Sequence, residues 1–314
     1  MSSQEAAIQL GGHIASASEV EHASVFRAFR PYSGPAQPGF EIDFLGCRTR
    51  QEFLPASLRT GIPQTTYPPA DEELPEWVDL LEAVVQAREC FVMVELGAGF
   101  GRWLARAAQA LRQVNRPECR LVAVEAEPRH FGWIAQHFRD NGIDPAPHML
   151  INAAVSDHDG EAMFYVEAAG PNSDPAEWYG QSLVKERDAV RSKDGEYDGK
   201  VAARHRSGWR SVRVPSVTLA QILVTLETVD LIDVDVQGEE LRVVASAIGE
   251  LARKVKRVHV GTHSREIEKG LRKLFQVAGW QCRWEFRFGA TERTPWGKIH
   301  FTDGVQTWIN PRFA

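Results

Sequence analysis

From residue 71 onward, short apolar runs alternate with stretches of helical periodicity, and this alternation constrains the fold more than any other feature. Residues 91–96, 121–125, 149–152, 229–235 and 255–261 read as strands, and residues 281–288 as a closing strand. Between them lie sets of apolar residues spaced to share one helix face. Trp77, Leu80, Leu81, Val84 and Val85 form the first set, with Pro75 suited to a first helical turn. Leu104, Ala107, Ala108 and Leu111 form the second. Leu241, Val244, Ala245 and Ile248, then Ile267, Leu271, Leu274 and Phe275, form later ones, and residues 128–141 add a further helix. Apolar strands separated by helices predict an α/β fold with a mostly parallel central sheet covered on both faces. Such a sheet binds ligands at the carboxyl ends of its strands, where the strand order reverses.

Residues 1–70 are less regular. A helix over about 17–29, a Pro/Gly-rich stretch over 31–40 and a short strand over 40–45 predict an N-terminal extension on a main domain of residues 71–314. Residues 167–210 interrupt the alternation. They are polar, mixed in charge and rich in Gly, Ser and Asp, and read either as a solvated insertion or as a lid over a substrate. The cluster Trp178-Tyr179-Gly180-Gln181-Ser182-Leu183 favours the lid, because aromatic residues in a polar stretch need a surface to pack on. Tyr179, Gln181 and Ser182 are its candidate substrate contacts. The net charge of −6 argues against a general grip on nucleic acid. No apolar run approaches the roughly 20 residues that cross a bilayer, and the first residues lack the pattern of a secretory signal. The four cysteines lie far apart with no CxxC pair. These features predict a soluble, reduced, cytoplasmic protein that acts on a small molecule or glycan, with no nucleic-acid or membrane partner.

The strongest local signal is Val94-Glu95-Leu96-Gly97-Ala98-Gly99-Phe100-Gly101. A glycine turn that leaves a strand and enters a helix lets a ligand approach the backbone closely and meet free helix N–H groups. The flanking acids say which ligand. Glu95, at the strand end, would repel a diphosphate but suits an ammonium group. Glu125, ending the next strand, can accept two ribose hydroxyls. A ligand with a cationic amino-acid end and a ribose is S-adenosylmethionine. Gly97, Ala98, Gly99 and Gly101 would line its site. Past the third strand, the small residues from Asn152 through Ala153 to Asp157 offer a turn against a flat adenine. A nicotinamide-dependent oxidoreductase is the rival reading of the glycine turn. That class places its acid about 20 residues after the turn and none before it on the strand.

These segments together resemble the FkbM-like family of S-adenosylmethionine-dependent methyltransferases over residues 91–288. The likeness rests on residues 94–101, on Val124-Glu125-Ala126-Glu127-Pro128, on residues 153–160 and on Ser216-Val217-Thr218-Leu219. It rests most on residues 229–240. There Asp235, Gly238 and Glu240 match the family's Lys-x-Asp-x-Glu-Gly-x-Glu, while Asp233 replaces Lys and Gln237 replaces Glu. The resemblance implies a Rossmann-like methyltransferase fold and methyl transfer to oxygen, often on sugars or natural products. It places Ala126 and Asp235 beside the cofactor and Gln237 near the acceptor.

A hydroxyl acceptor needs a base for its proton. Asp235 closes an apolar strand, where a carboxylate is costly unless used. His263 follows a strand and precedes a helix, and an imidazole with an ordinary pKa near ~6.5 takes a proton at neutral pH. Asp235 and His263 are therefore the candidate catalytic residues, and His263 is also a candidate acceptor contact. No metal-ligand motif is present, so no metal is expected. A fold that binds the cofactor without turnover is the alternative.

Overall fold

The computed structural model describes residues 9–10, 13–14, 21–114, 118–167, 181–185 and 187–313. The main body begins with helix α1 (Leu74–Gln86), strand β1 (Phe91–Leu96), helix α2 (Arg102–Gln113), strand β2 (Cys119–Glu125), helix α3 (Pro128–Asp140) and strand β3 (Met149–Asn152). Five strands and a helix follow: β4 (Ala154–Ser156), β5 (Gly160–Glu167), β6 (Val190–Tyr197), β7 (Lys200–His205), β8 (Arg210–Thr218) and α4 (Leu219–Val224). The chain then runs through β9 (Leu231–Val234), α5 (Glu240–Lys254), β10 (Arg257–Thr262) and α6 (Arg265–Val277). It ends with β11 (Gln281–Phe286), β12 (Ala290–Thr294), β13 (Gly297–Phe301) and β14 (Gly304–Ile309).

The central sheet has the order β11-β14-β10-β9-β1-β2-β3. Strands β3, β2, β1, β9 and β10 are parallel, and β14 runs antiparallel between β10 and β11. Its strands are short and apolar because both faces are covered. In β1, Phe91 and Met93 belong to the core beneath α1 and α2, while Val94 and Leu96 belong to the core beneath α5 and α6. That is the period of two expected of a pleated strand. Helix starts follow local chemistry. Glu127 accepts the His130 N–H at 2.5 Å with Pro128 opening α3, and Ser264 accepts the Ile267 N–H at 3.2 Å to open α6.

Residues N-terminal to α1 share the main core. Phe26, Phe29 and Phe44 pack into the cluster that holds Trp77 and Leu104, and the Phe44 and Trp77 rings lie 5.0 Å apart. The described part of the expected helix over 17–29 is a 3-10 helix, Glu21–Ala28. Within α5 the buried apolar side chains are Val243, Val244, Ala247 and Leu251, whereas Ala245 is exposed.

Two segments differ from the sequence expectation. The described part of 167–210 is not a bare loop. It supplies β6 and β7, which join β8, β5 and β4 in a second, five-stranded sheet. Strand β6 carries Arg, Ser, Lys, Asp and Glu because nearly all of its residues are solvated, which erases any apolar alternation. Second, β11 takes the edge of the sheet but is not its last strand in the chain. Residues 304–309 form a full strand inserted between β10 and β11, where Trp308 is buried and stacks on Phe275 at 4.9 Å. No helix among the described residues is long and apolar enough to cross a membrane.

Candidate active site

Strand order reverses between β1 and β9, and the glycine turn leaves the sheet at that point. The Gly97 and Ala98 amides donate to the Val124 carbonyl at 3.0 Å each, and the Asp235 amide donates to the Leu96 carbonyl at 2.9 Å. The three glycines have different physical reasons. Gly97 has φ +80°, and a Cβ there would lie 1.9 Å from the Asp235 carbonyl oxygen, so the crossing of two backbones excludes any side chain. Gly101 begins α2 with φ +73°, and its bare Cα lets Ile134 and Phe138 pack at 3.2 Å from where a Cβ would be. Gly101 therefore serves helix packing and lies outside the cleft lining. Gly99, with φ +55°, has open space beside it and faces the cleft.

A cleft with an open mouth lies at this reversal. Its walls bring together Gly97, Gly99, Glu125, Ala126, Ala153, Asp235, Gln237 and Gln181, all candidates from the sequence. Phe164 and Leu183 enter from the second sheet, so the cleft lies at the junction of the two sheets. Glu125 accepts the Gly99 amide through Oε2 at 2.7 Å and the Glu127 amide through Oε1 at 2.7 Å. Each oxygen keeps a further lone pair. Burial pushes its pKa up to about 8.

Glu95 lines a second hollow, a branch beside the cleft, with Ala98, Trp103 and Asp233. Branch and cleft share Glu76, Gly97, Gly99, Arg102, Asp235, His259 and Gly261 as walls, so Glu95 and Glu125 border adjoining hollows on either side of the glycine turn. Glu95 also accepts the Trp103 and Leu104 amides at 3.4 and 3.3 Å, satisfying two free N–H groups of the first turn of α2. Burial first, and then the neighbouring Asp233, push its pKa well up. A cation entering the branch would favour its ionised form.

At the other side of the turn, Asp235 presents a side chain that is 52% exposed. Desolvation by the cleft walls raises its pKa to about 6, against the pull of His263. Its Oδ1 accepts from Gln237 Nε2 at 3.0 Å and lies 3.5 Å from His263 Nε2. Gln237 reaches it from a left-handed backbone conformation, φ +50°. The His263 Nδ1 is 2.8 Å from Glu240 Oε1. Burial lowers the affinity of His263 for a proton, but the Glu240 hydrogen bond and the charges of Asp235, Glu240 and Asp303 outweigh it and raise the pKa to about 9. The imidazole therefore already carries its proton at neutral pH, unlike the free base expected from the sequence. Of the two candidates, the Asp235 carboxylate is the one ready to accept a proton there. Asp235, Glu240 and His263 bring donor atoms within 4.8 Å of one another, a spacing a small cation would also tolerate.

Other expectations sort by position. Gln181 donates through Nε2 to the Val166 carbonyl at 2.8 Å and lines the cleft. Its neighbour Ser182 points into a separate hollow with Tyr165, Asp188 and Trp209, because successive residues of extended chain face opposite sides. Ser182 is thus not a cleft residue. Tyr179 and Trp178 lie outside the described residues. The sequence reading missed Glu76, Arg102, Phe164 and Asp303, all lining the cleft. Glu76 sits on α1, ahead of any ligand-binding motif, and carries no local signal. Asp303 lies in the turn before β14, with no ligand-binding motif beside it.

The sequence model of the methyltransferase FkbM domain matches residues 95–288 of this chain. The chain belongs to the FkbM methyltransferase family. A Jannaschia sp. (strain CCS1) protein that carries a methyltransferase name is 27% identical to this FkbM-family chain over 260 residues, covering 81% of this chain and 86% of the relative. Among solved structures, the FkbM methyltransferase of Methylobacillus flagellatus KT aligns with a TM-score of 0.41 at 10% identity, covering 76% of this chain and 55% of that one. The precorrin-6y C5,15-methyltransferase of Geobacter metallireducens GS-15 aligns with a TM-score of 0.39 at 11% identity, covering 82% of this chain and 92% of that one. The FkbM-type Rossmann-like fold expected from the sequence is thus the fold present, with its glycine turn and Asp235 at the strand-order reversal.

Proposed function

We propose that this protein is an S-adenosylmethionine-dependent O-methyltransferase acting on a hydroxyl of a sugar, glycan or small natural product. One observation carries the reading: Glu125, the bare face of Gly99 and Asp235 line one cleft at the point of strand reversal, and Glu95 lines the adjoining hollow that shares Gly99 and Asp235 as walls. The donor set fits the cofactor. Glu125 has lone pairs for the two ribose hydroxyls, Ala126 and Ala153 leave flat space for adenine, and the acid-lined branch suits the ammonium group. When bound, S-adenosylmethionine supplies an electrophilic methyl group on a sulfonium.

The chain's own residues do the rest. Much of methyl transfer is alignment, and the cleft walls from both sheets orient the acceptor hydroxyl. Asp235 takes its proton, because the carboxylate is ionised above about pH 6 and half open to the cleft. Gln237 donates to Oδ1, the protonated His263 lies 3.5 Å from it, and no hydrogen bond among the described residues reaches Oδ2, which is left for the acceptor hydroxyl. Titration calorimetry with S-adenosylhomocysteine tests the cofactor half. Micromolar binding is expected, and no heat of binding at high micromolar ligand would overturn the reading. A panel of sugars and glycosylated natural products with a labelled methyl donor tests the acceptor half.

A further inference from the structure

Glu240 is a fully buried acid beside the cleft that no step above uses. It stands at the first residue of α5, where the helix dipole favours a negative charge. Its Oε1 accepts from the Gly238 amide and from His263 Nδ1, each at 2.8 Å. Closing the Gly238 turn alone would not need a charge, since a neutral carbonyl oxygen accepts the same bond. The ring it holds is asymmetric in its surroundings. Nδ1 is anchored, while Nε2 is buried without a hydrogen-bond partner, 3.5 Å from Asp235 Oδ1 and 3.8 Å from Asp303 Oδ1. Among the described residues, Glu240 is the group that fixes which way this ring faces. We propose that Glu240 is a positioning residue for methyl transfer: by holding Nδ1 of His263 it aims Nε2 at Asp235, so that this carboxylate keeps one orientation toward the acceptor. The proposal rests on the reading of Asp235 as proton acceptor given above.

The groups facing His263 are Glu240 from α5, Asp235 from the end of β9 and Asp303 from the turn before β14. Removing the charge of Glu240 while keeping its shape isolates its share. The experiment follows the histidine nitrogens and the Asp235 carboxyl carbon by NMR across pH in the full chain and in Glu240→Gln, with His263→Gln used to assign the signal. In the wild type, Nδ1 should stay protonated and His263 should titrate near pH 9. In Glu240→Gln, whose side-chain oxygen still accepts from Gly238, the midpoint should fall by about 1–3 pH units, the effect of losing one close opposite charge. The Asp235 carboxyl should then titrate at higher pH, since it loses a cationic neighbour over the neutral range. Affinity for S-adenosylhomocysteine should stay within about threefold, because Glu240 lies outside the cleft lining.

Unchanged midpoints in Glu240→Gln would reduce Glu240 to a turn-closing residue and overturn the proposal. So would selective broadening of the His263 signals by equimolar Mn2+, which would mean that a cation, not the imidazole, organises these acids. If Glu240→Gln fails to fold, the tautomer of the wild-type ring decides: a bare Nδ1 overturns the proposal and a protonated one supports it. Loss of S-adenosylhomocysteine binding by the wild type would defeat the cofactor reading while leaving the nitrogen titration intact, so the two failures are distinguishable.

Discussion

The two sheets of this molecule are built on opposite principles. The central sheet is covered by α1 and α2 on one face and by α5 and α6 on the other, and its parallel strands are largely apolar on both sides. The second sheet buries one small cluster, with Tyr197, Ala202, Val212 and Val214 packed against Ala126 and Ala154, and leaves most of β6 ahead of Tyr197 in water. The central sheet supplies Gly97, Glu125 and Asp235 to the cleft, and the second sheet contributes another wall through Phe164 and Leu183. Most of the buried core thus lies on one sheet, and under the proposed function so do the cofactor contacts, while the other sheet adds a wall for the acceptor.

The sharpest way to break this contrast is in the central sheet. Asp79 on α1 is completely buried. It pairs with Arg257 at 2.9 Å and His259 at 2.8 Å on β10, and accepts from Thr307 on β14 at 2.5 Å. Asp79→Ala should cost about 3–5 kcal/mol, because it takes the buried carboxylate from Arg257, His259 and Thr307 at once and leaves the guanidinium only the side chains of Glu82 and Gln86, and urea denaturation measures the loss. A cost under about 1 kcal/mol would show that the central sheet does not depend on this tie. Next in size is Glu125→Ala, which should weaken S-adenosylhomocysteine by roughly 1–3 kcal/mol through polar partners left unmet. Calorimetry reads the change, and an unchanged affinity would move the ribose elsewhere.

The pH profile is the third test. The Asp235–His263 pair should titrate in two steps, and turnover should fall below about pH 6 as Asp235 protonates and above about pH 9 as the imidazole loses its proton. The sign for stability follows from the raised value. The contribution of His263 is complete below its unfolded pKa of roughly 6.5 and is lost as pH rises through about 9. A profile flat from pH 5 to 10 would detach both groups from the chemistry. The smallest effect belongs to the second sheet. Val201 on β7 is 69% exposed, and Val201→Thr should change stability by no more than about 0.5 kcal/mol. A larger loss in the same urea assay would mean that this sheet carries more of the fold than its burial indicates.

How much of this was legible in the sequence follows from what each strand touches. Residues 91–96 announce themselves because only Val92 escapes full burial, so the apolar run is nearly unbroken. Strand β6 is invisible because only its last residue, Tyr197, is buried, which leaves no alternation to read. Strand β14 hides for a different reason: Gln306 and Thr307 are polar yet completely buried, with partners in Glu268, Glu285 and Asp79. A polar network supplied from three other elements leaves no periodic trace in its own segment. In the cleft and its branch, Glu95, Glu125 and Asp235 were readable because each ends a recognisable strand. Glu76 and Phe164 were not, since they arrive from a helix and a strand whose meeting with the turn is decided only by the tertiary fold.

The interleaved place of β14 also has a consequence for how the chain matures. Strands β10 and β11 are complete by residue 286, yet each keeps an unpaired edge until residues 304–309 slide between them. During synthesis the nascent protein must therefore wait for its last strand before the central sheet is continuous. Until then it exposes open strand edges that invite misassembly.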